Sequence, residues 1–249
     1  MTLLPLVFLQ RLLHREIQSV IYLLTRNLQL TIALFSFLFL PGVFLHELSH
    51  YLMAWILGVP THGFSLIPHT LPDGRLQMGY VETRRTDIVR DSLIGLAPLI
   101  AGSLFVSYAA IDRLHLHMLW DVLRNGQLNL FWLGLSLLPQ VKDFYLWFYL
   151  TFVVAGTMMP SESDRNAWLP LGVWLGTLLG LAIFAGAGEW MLNSLAPLVN
   201  NFLNSVALLF GMSGAVCVVL LIPLLLIHRL LVRLMKMDVL YAKIGSRRE

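Results

Sequence analysis

The chain has 249 residues, of which 57% are hydrophobic and only 12% charged, with a net charge of +3 and a mean hydropathy of +0.75. A typical soluble domain carries about twice that share of charge, so the composition points to an all-α polytopic membrane protein. It argues against a nucleic-acid partner, because the basic residues form no cluster interleaved with exposed aromatics. The single cysteine, Cys217, rules out an internal disulfide or a Cys-rich zinc site.

In chain order, residues 1–27 set Leu12, Leu13, Ile17, Val20 and Ile21 against Arg11, Arg15 and Arg26. That pattern predicts an amphipathic helix lying on the membrane surface. Arg11, His14, Arg15 and Glu16 stand where a cleavable leader needs an unbroken apolar core, so no such leader is expected. From Leu28 to Gly58 the sequence is apolar and long enough to span, with a bend expected at Pro41-Gly42 and a stop at Gly58 and Pro60.

Inside that first span lies His46-Glu47-Leu48-Ser49-His50, an H-E-x-x-H sequence. On a helix the i, i+4 spacing puts both imidazoles on one face, one turn apart, where they can hold one tetrahedral Zn²⁺. Glu47 then stands as a general base for a water that such an ion acidifies. The competing reading is a chance match or a set of buried hydrogen-bonding groups. Ionisable side chains cost about 2.5–3.5 kcal/mol each in the middle of a span, which favours the metal.

Residues 61–90 read as a β-hairpin. Pro72-Asp73-Gly74 is the turn, Phe64 to Pro68 lie near one strand, and Leu76, Met78 and Tyr80 share one face of the other. A second span is expected over 91–111, where Gly95-Leu96-Ala97-Pro98 and Ala101-Gly102-Ser103 would let helices approach closely. Residues 112–141 are amphipathic and include His115 and His117, a weak metal-binding pair at best. A third span is expected over 144–159, a fourth over 169–192 and a fifth over 206–228. The organisation is thus a surface helix (1–27), a core (28–168), and two further spans with a basic tail (169–249).

With five spans, one side of the membrane receives Arg75, Arg84, Arg85, Arg90, Arg165, Arg229, Arg233, Lys236, Lys243, Arg247 and Arg248. The other keeps Arg11, Arg15, Arg26, Arg113, Arg124 and Lys142. The positive-inside rule makes the first side cytoplasmic, in a multi-pass protein of the cell membrane with the motif near its cytoplasmic face. Asp164 falls at the same depth, just after Pro160, and is the expected third ligand; Glu162 is its nearest rival, with Asp91 and Glu189 more distant. Its alternative role is a helix N-cap ahead of Asn166-Ala167-Trp168.

The H-E-x-x-H helix followed by Met158-Met159-Pro160 and Asp164 resembles the site-2 protease family of intramembrane zinc metalloproteases, whose later motif is N-x-x-P…D-G. The resemblance covers roughly residues 40–170. Thr157 replaces the asparagine, Arg165 replaces the glycine, and the spacing from proline to aspartate is shortened. It implies hydrolysis of a peptide bond in or near the transmembrane helix of a membrane-protein substrate. That substrate would be held as an added strand along residues 75–83, at Leu76, Met78 and Tyr80. The contrasting possibilities are a membrane metal carrier or sensor and an inactive scaffold, neither of which has use for a base at Glu47.

Overall fold

A computed structural model describes residues 3–70, 76–84, 86–161, 163–166 and 168–235. The Pro72-Asp73-Gly74 turn, Arg75, Arg85, Glu162 and the basic tail from Lys236 onward lie outside the described residues. The elements are α1 (Leu3–Thr25), α2 (Leu28–Ile56), β1 (Thr61–Ser65), β2 (His69–Thr70), β3 (Leu76–Gln77), β4 (Tyr80–Thr83) and α3 (Ile88–Tyr108). There follow α4 (Leu116–Arg124), α5 (Leu128–Leu137), α6 (Phe144–Thr157), α7 (Trp168–Ala182), the one-turn α8 (Gly188–Trp190) and α9 (Ala196–Met235).

Among the described residues four stretches are long and apolar enough to cross a membrane: Leu28–Ile56, Ile88–Arg113, Trp168–Asn201 and Ser213–Met235. The remaining expected span corresponds to α6. That helix has only 14 residues. At about 1.5 Å per residue it covers about 21 Å, short of the roughly 30 Å of a hydrocarbon core. Its residues Thr151 to Ala155 are buried, so α6 is a central strut of the bundle.

The core forms where α1, α2, α3, α6 and α9 meet. Leu13 and Ile17 of α1, Phe35, Phe39 and Val43 of α2, Val106 of α3, Phe152 to Ala155 of α6, and Cys217 and Leu221 of α9 make one apolar cluster. Amphipathic α1 does not rest apart on the membrane surface; its buried side packs along α9 and α2. Polar residues on α1 find partners there. Gln10 is 5% exposed and donates to the Ala155 carbonyl at 2.6 Å, and Glu16 is ion-paired with His228 of α9. Arg11 and Arg15 misled the reading of this segment, because long basic side chains can lie beside a buried apolar stripe.

α2 starts at Asn27, whose side chain accepts from the Leu30 N–H at 3.1 Å, and it runs uninterrupted through Pro41. It stops where expected: Gly58 is left-handed (φ 67), and the Val59 N–H returns to the Ala54 carbonyl at 2.8 Å. At Gly42, in the segment where the bend is expected, α6 approaches closely. A β-carbon there would collide with the Val153 carbonyl and the Thr157 hydroxyl, so only glycine permits the approach.

Between α2 and α3 the chain makes nested antiparallel pairs. β1 pairs with β4 (Phe64 opposite Val81, Ser65 opposite Tyr80) and β2 with β3. The hairpin is thus present, with a register irregularity between Thr61 and Gly63. Asp87 caps α3 through the Arg90 N–H at 3.0 Å, starting that helix three residues ahead of the expected span.

Candidate metal centre

His46 and His50 sit on consecutive turns of α2, their Nε2 atoms 3.3 Å apart. Asp164, on the segment between α6 and α7, places Oδ1 at 3.4 Å from His50 Nε2 and Oδ2 at 3.9 Å from His46 Nε2. Two ligand atoms each about 2.0–2.1 Å from a tetrahedral zinc are about 3.3 Å apart. The triangle of donors therefore has nearly the size of one face of such a site, with all three ligand atoms within 4.8 Å of one another.

The other nitrogens of the two imidazoles decide their chemistry. His46 Nδ1 meets the Thr157 carbonyl at 2.6 Å, and His50 Nδ1 meets the Ile94 carbonyl at 2.8 Å. A carbonyl only accepts, so each Nδ1 carries a proton, which leaves each Nε2 as the atom that would present a lone pair to an ion in the shared space. Metal-ligating histidines are characteristically oriented in this way. A pair of buried histidines serving only as hydrogen-bonding groups has no need to turn both Nε2 atoms toward one carboxylate. His46, His50 and Asp164 together could hold a metal ion.

No protein-family model, curated protein or solved structure matches this chain.

The partners come from three elements, and the sequence explains how each reaches the site. Gly42 lets the end of α6 close on α2, which delivers the Thr157 carbonyl. Gly95 lets the Asp164 segment lie against α3, since a β-carbon there would overlap the Asp164 carbonyl. One residue earlier on α3, Ile94 supplies the second carbonyl. Asp164 is itself pinned by a local turn: Ser161 N–H donates to Oδ2 at 2.6 Å, and Arg165 Nε donates to the Ser161 carbonyl at 3.2 Å. Burial works to raise the Asp164 pKa; hydrogen bonding and charge from His50, with two hydrogen bonds from Ser161, outweigh it and bring it down to about 2. The group is thus an anion across the neutral range.

Its expected alternative as an N-cap does not hold, because α7 begins only at Trp168 and the carboxylate points back to Ser161 and the imidazoles. Of the rival ligands, Asp91 is engaged by Thr86, whose N–H and hydroxyl donate to Oδ1 at 3.1 and 2.8 Å. Glu189 is exposed on α8, and Glu162 is outside the described residues. His115 and His117 form an exposed edge-to-face ring pair outside the His46–His50–Asp164 group. Thr157 does not replace an asparagine side chain: its hydroxyl donates back to the Val153 carbonyl at 2.9 Å, and only its own carbonyl serves the site.

Glu47 is 8% exposed and lies beneath the hairpin, where a β-carbon on Gly79 would stand 3.0 Å from its Cγ. With His46, His50 and Asp164 it lines a cleft of about 600 Å³, walled by Gln77, Gly79, Tyr80, Val81 and Thr83 on the hairpin side. Of the three residues expected on the substrate face, Tyr80 lines this cleft, Met78 packs against the main core, and Leu76 belongs to the outer β2–β3 pair. Residues 78 and 79 lie between β3 and β4, outside both strands. Ser161, Ser163 and Asn166 make the opposite wall polar enough for water.

Proposed function

We propose that this protein is an intramembrane zinc metalloprotease, similar in chemistry to the site-2 protease family, that hydrolyses a peptide bond in or near the membrane helix of a protein substrate. The observation that carries the reading is the pair of imidazoles held by main-chain carbonyls with both Nε2 atoms facing Asp164 and the cleft. The donor set, His₂ and a carboxylate with room beside it, is one that suits catalytic zinc. Bound there, the ion would supply Lewis-acid polarisation of the scissile carbonyl and acidify a water.

Within this chain the work falls to few residues. His46, His50 and Asp164 hold the ion, and the Thr157 and Ile94 carbonyls keep the rings turned toward it. Glu47 takes a proton from the attacking water as its oxygen adds to the scissile carbon. It then returns that proton to the leaving amine as the C–N bond breaks. A substrate helix hides its peptide groups in its own hydrogen bonds and has to unwind before it can enter. Among the described residues β4 is laddered to β1, and its residues Tyr80, Val81 and Thr83 line the cleft. The unwound segment adds there as a strand.

The alternative is a membrane protein of the same fold that binds metal without catalysis. Glu47→Gln separates the two. In purified protein with a single-span substrate, the variant is expected to bind zinc as wild type does and to lose cleavage by about a hundredfold or more. Cleavage that survives Glu47→Gln or a chelator sinks the proposed chemistry. Zinc binding with no cleavage of any single-span substrate by wild type favours the carrier, sensor or scaffold.

A further inference from the structure

α6 ends inside the protein. A helix end leaves its last carbonyls without intrahelical donors, and in an apolar interior each must be met by something else. Pro160 has no N–H to give. The carbonyls of this turn are instead shared out. Val154 accepts the Met158 N–H at 2.9 Å, Thr157 accepts His46 Nδ1, and Ala155 accepts Gln10 Nε2 from α1, 145 residues away in sequence.

From this arrangement we infer that Gln10 is a positioning residue for the metal centre, acting through the last turn of α6; the inference rests on the metal reading above. Were α6 to continue as a regular helix, the Ala155 carbonyl would bond the N–H of Met159. Gln10 occupies that carbonyl, so the chain is free to leave the helix after Thr157 and carry Asp164 across to His50. The same turn fixes the Thr157 carbonyl that orients His46. α1 meets this turn at two further points. Leu6, 1% exposed, packs with Met158, Met159 and Leu99, and His14 lies beside Gly156 with its ring against Phe39. A second polar attachment of α1, Glu16 to His228, is to α9.

The test uses the full chain in detergent, with zinc titration and the absorption spectrum of bound Co²⁺ as readouts independent of proteolysis. Gln10→Met keeps the shape of the side chain and removes its donor. It is expected to weaken zinc by about tenfold, the low end for losing a group that orients a ligand, and to shift the Co²⁺ bands. Glu16→Gln loosens α1 elsewhere. It is expected to lower Tm while leaving the Co²⁺ spectrum unchanged. Wild-type affinity and spectrum in Gln10→Met overturn the inference, as does an equal spectral change from Glu16→Gln. Should Gln10→Met fail to fold, Leu6→Ala, which trims the neighbouring contact on Met158, is expected to shift the Co²⁺ bands in the same direction by less. An unshifted spectrum there overturns the inference too. Failure of wild type to bind zinc or Co²⁺ strikes the metal reading itself, which is a separate result.

Discussion

α3 and the stretch from Trp168 to Asn201 have nearly the same hydropathy, 1.9 against 1.8, yet 44% of the first window is buried inside the protein and 0% of the second. Both carry glycines at helical spacing. On α3, Gly95 faces the Asp164 backbone and Gly102 faces Met158; on α7, Gly172, Gly176 and Gly180 have nothing within 4 Å of where a β-carbon would stand. Hydropathy registers the solvent a helix prefers and is silent about which side meets protein. Small residues matter where two backbones touch, and in this protein they touch around the metal centre.

The largest effects should come from the donors themselves. His50→Ala is expected to take zinc in the purified protein from near stoichiometric to background by metal analysis, and proteolysis with it; retained zinc would displace the site. Asp164→Asn keeps the size and loses the charge, and is expected to weaken zinc by about a hundredfold, the upper end of what even a ligand's supporting partner contributes. Affinity within about threefold of wild type would transfer the third-ligand role elsewhere.

Next comes packing. Gly95→Ala forces a methyl against the Asp164 carbonyl and is expected to cost about 1–3 kcal/mol of stability, read as a lower Tm, together with weaker zinc. At the bottom of the scale, Gly176→Ala on α7 is expected to change stability by less than about 0.5 kcal/mol. A loss at Gly176 equal to that at Gly95 would mean that α7 has a protein neighbour, and the contrast between the two helices would disappear.

Much of the site could be read without coordinates. H-E-x-x-H names its own geometry, and the position of Asp164 just after Pro160 pointed to it as the third donor. The glycines of α3 were recognisable as contact points, although their partners were not. What stayed hidden was carried by main-chain atoms or by distance. The partners of the two histidines are the carbonyls of Thr157 and Ile94, which every residue possesses and no composition reveals. The docking of α1 depends on Gln10 meeting a carbonyl on a helix that is remote in sequence, and α6 read as a span because its body is uniformly apolar. Met78, which lies between β3 and β4, packs against the core.

That both rings are steered by peptide oxygens has an evolutionary corollary. A codon change at position 94 or 157 swaps the side chain and leaves the steering atom in place, so these positions are free to drift as long as the neighbouring residue fits. Insertions and deletions are another matter. Adding or removing a single residue in the closing turn of α6 would rotate the oxygen by about 100° and hand His46 a different neighbour. Tolerance to substitution combined with intolerance to length change is therefore the signature this centre should leave in any lineage that keeps it.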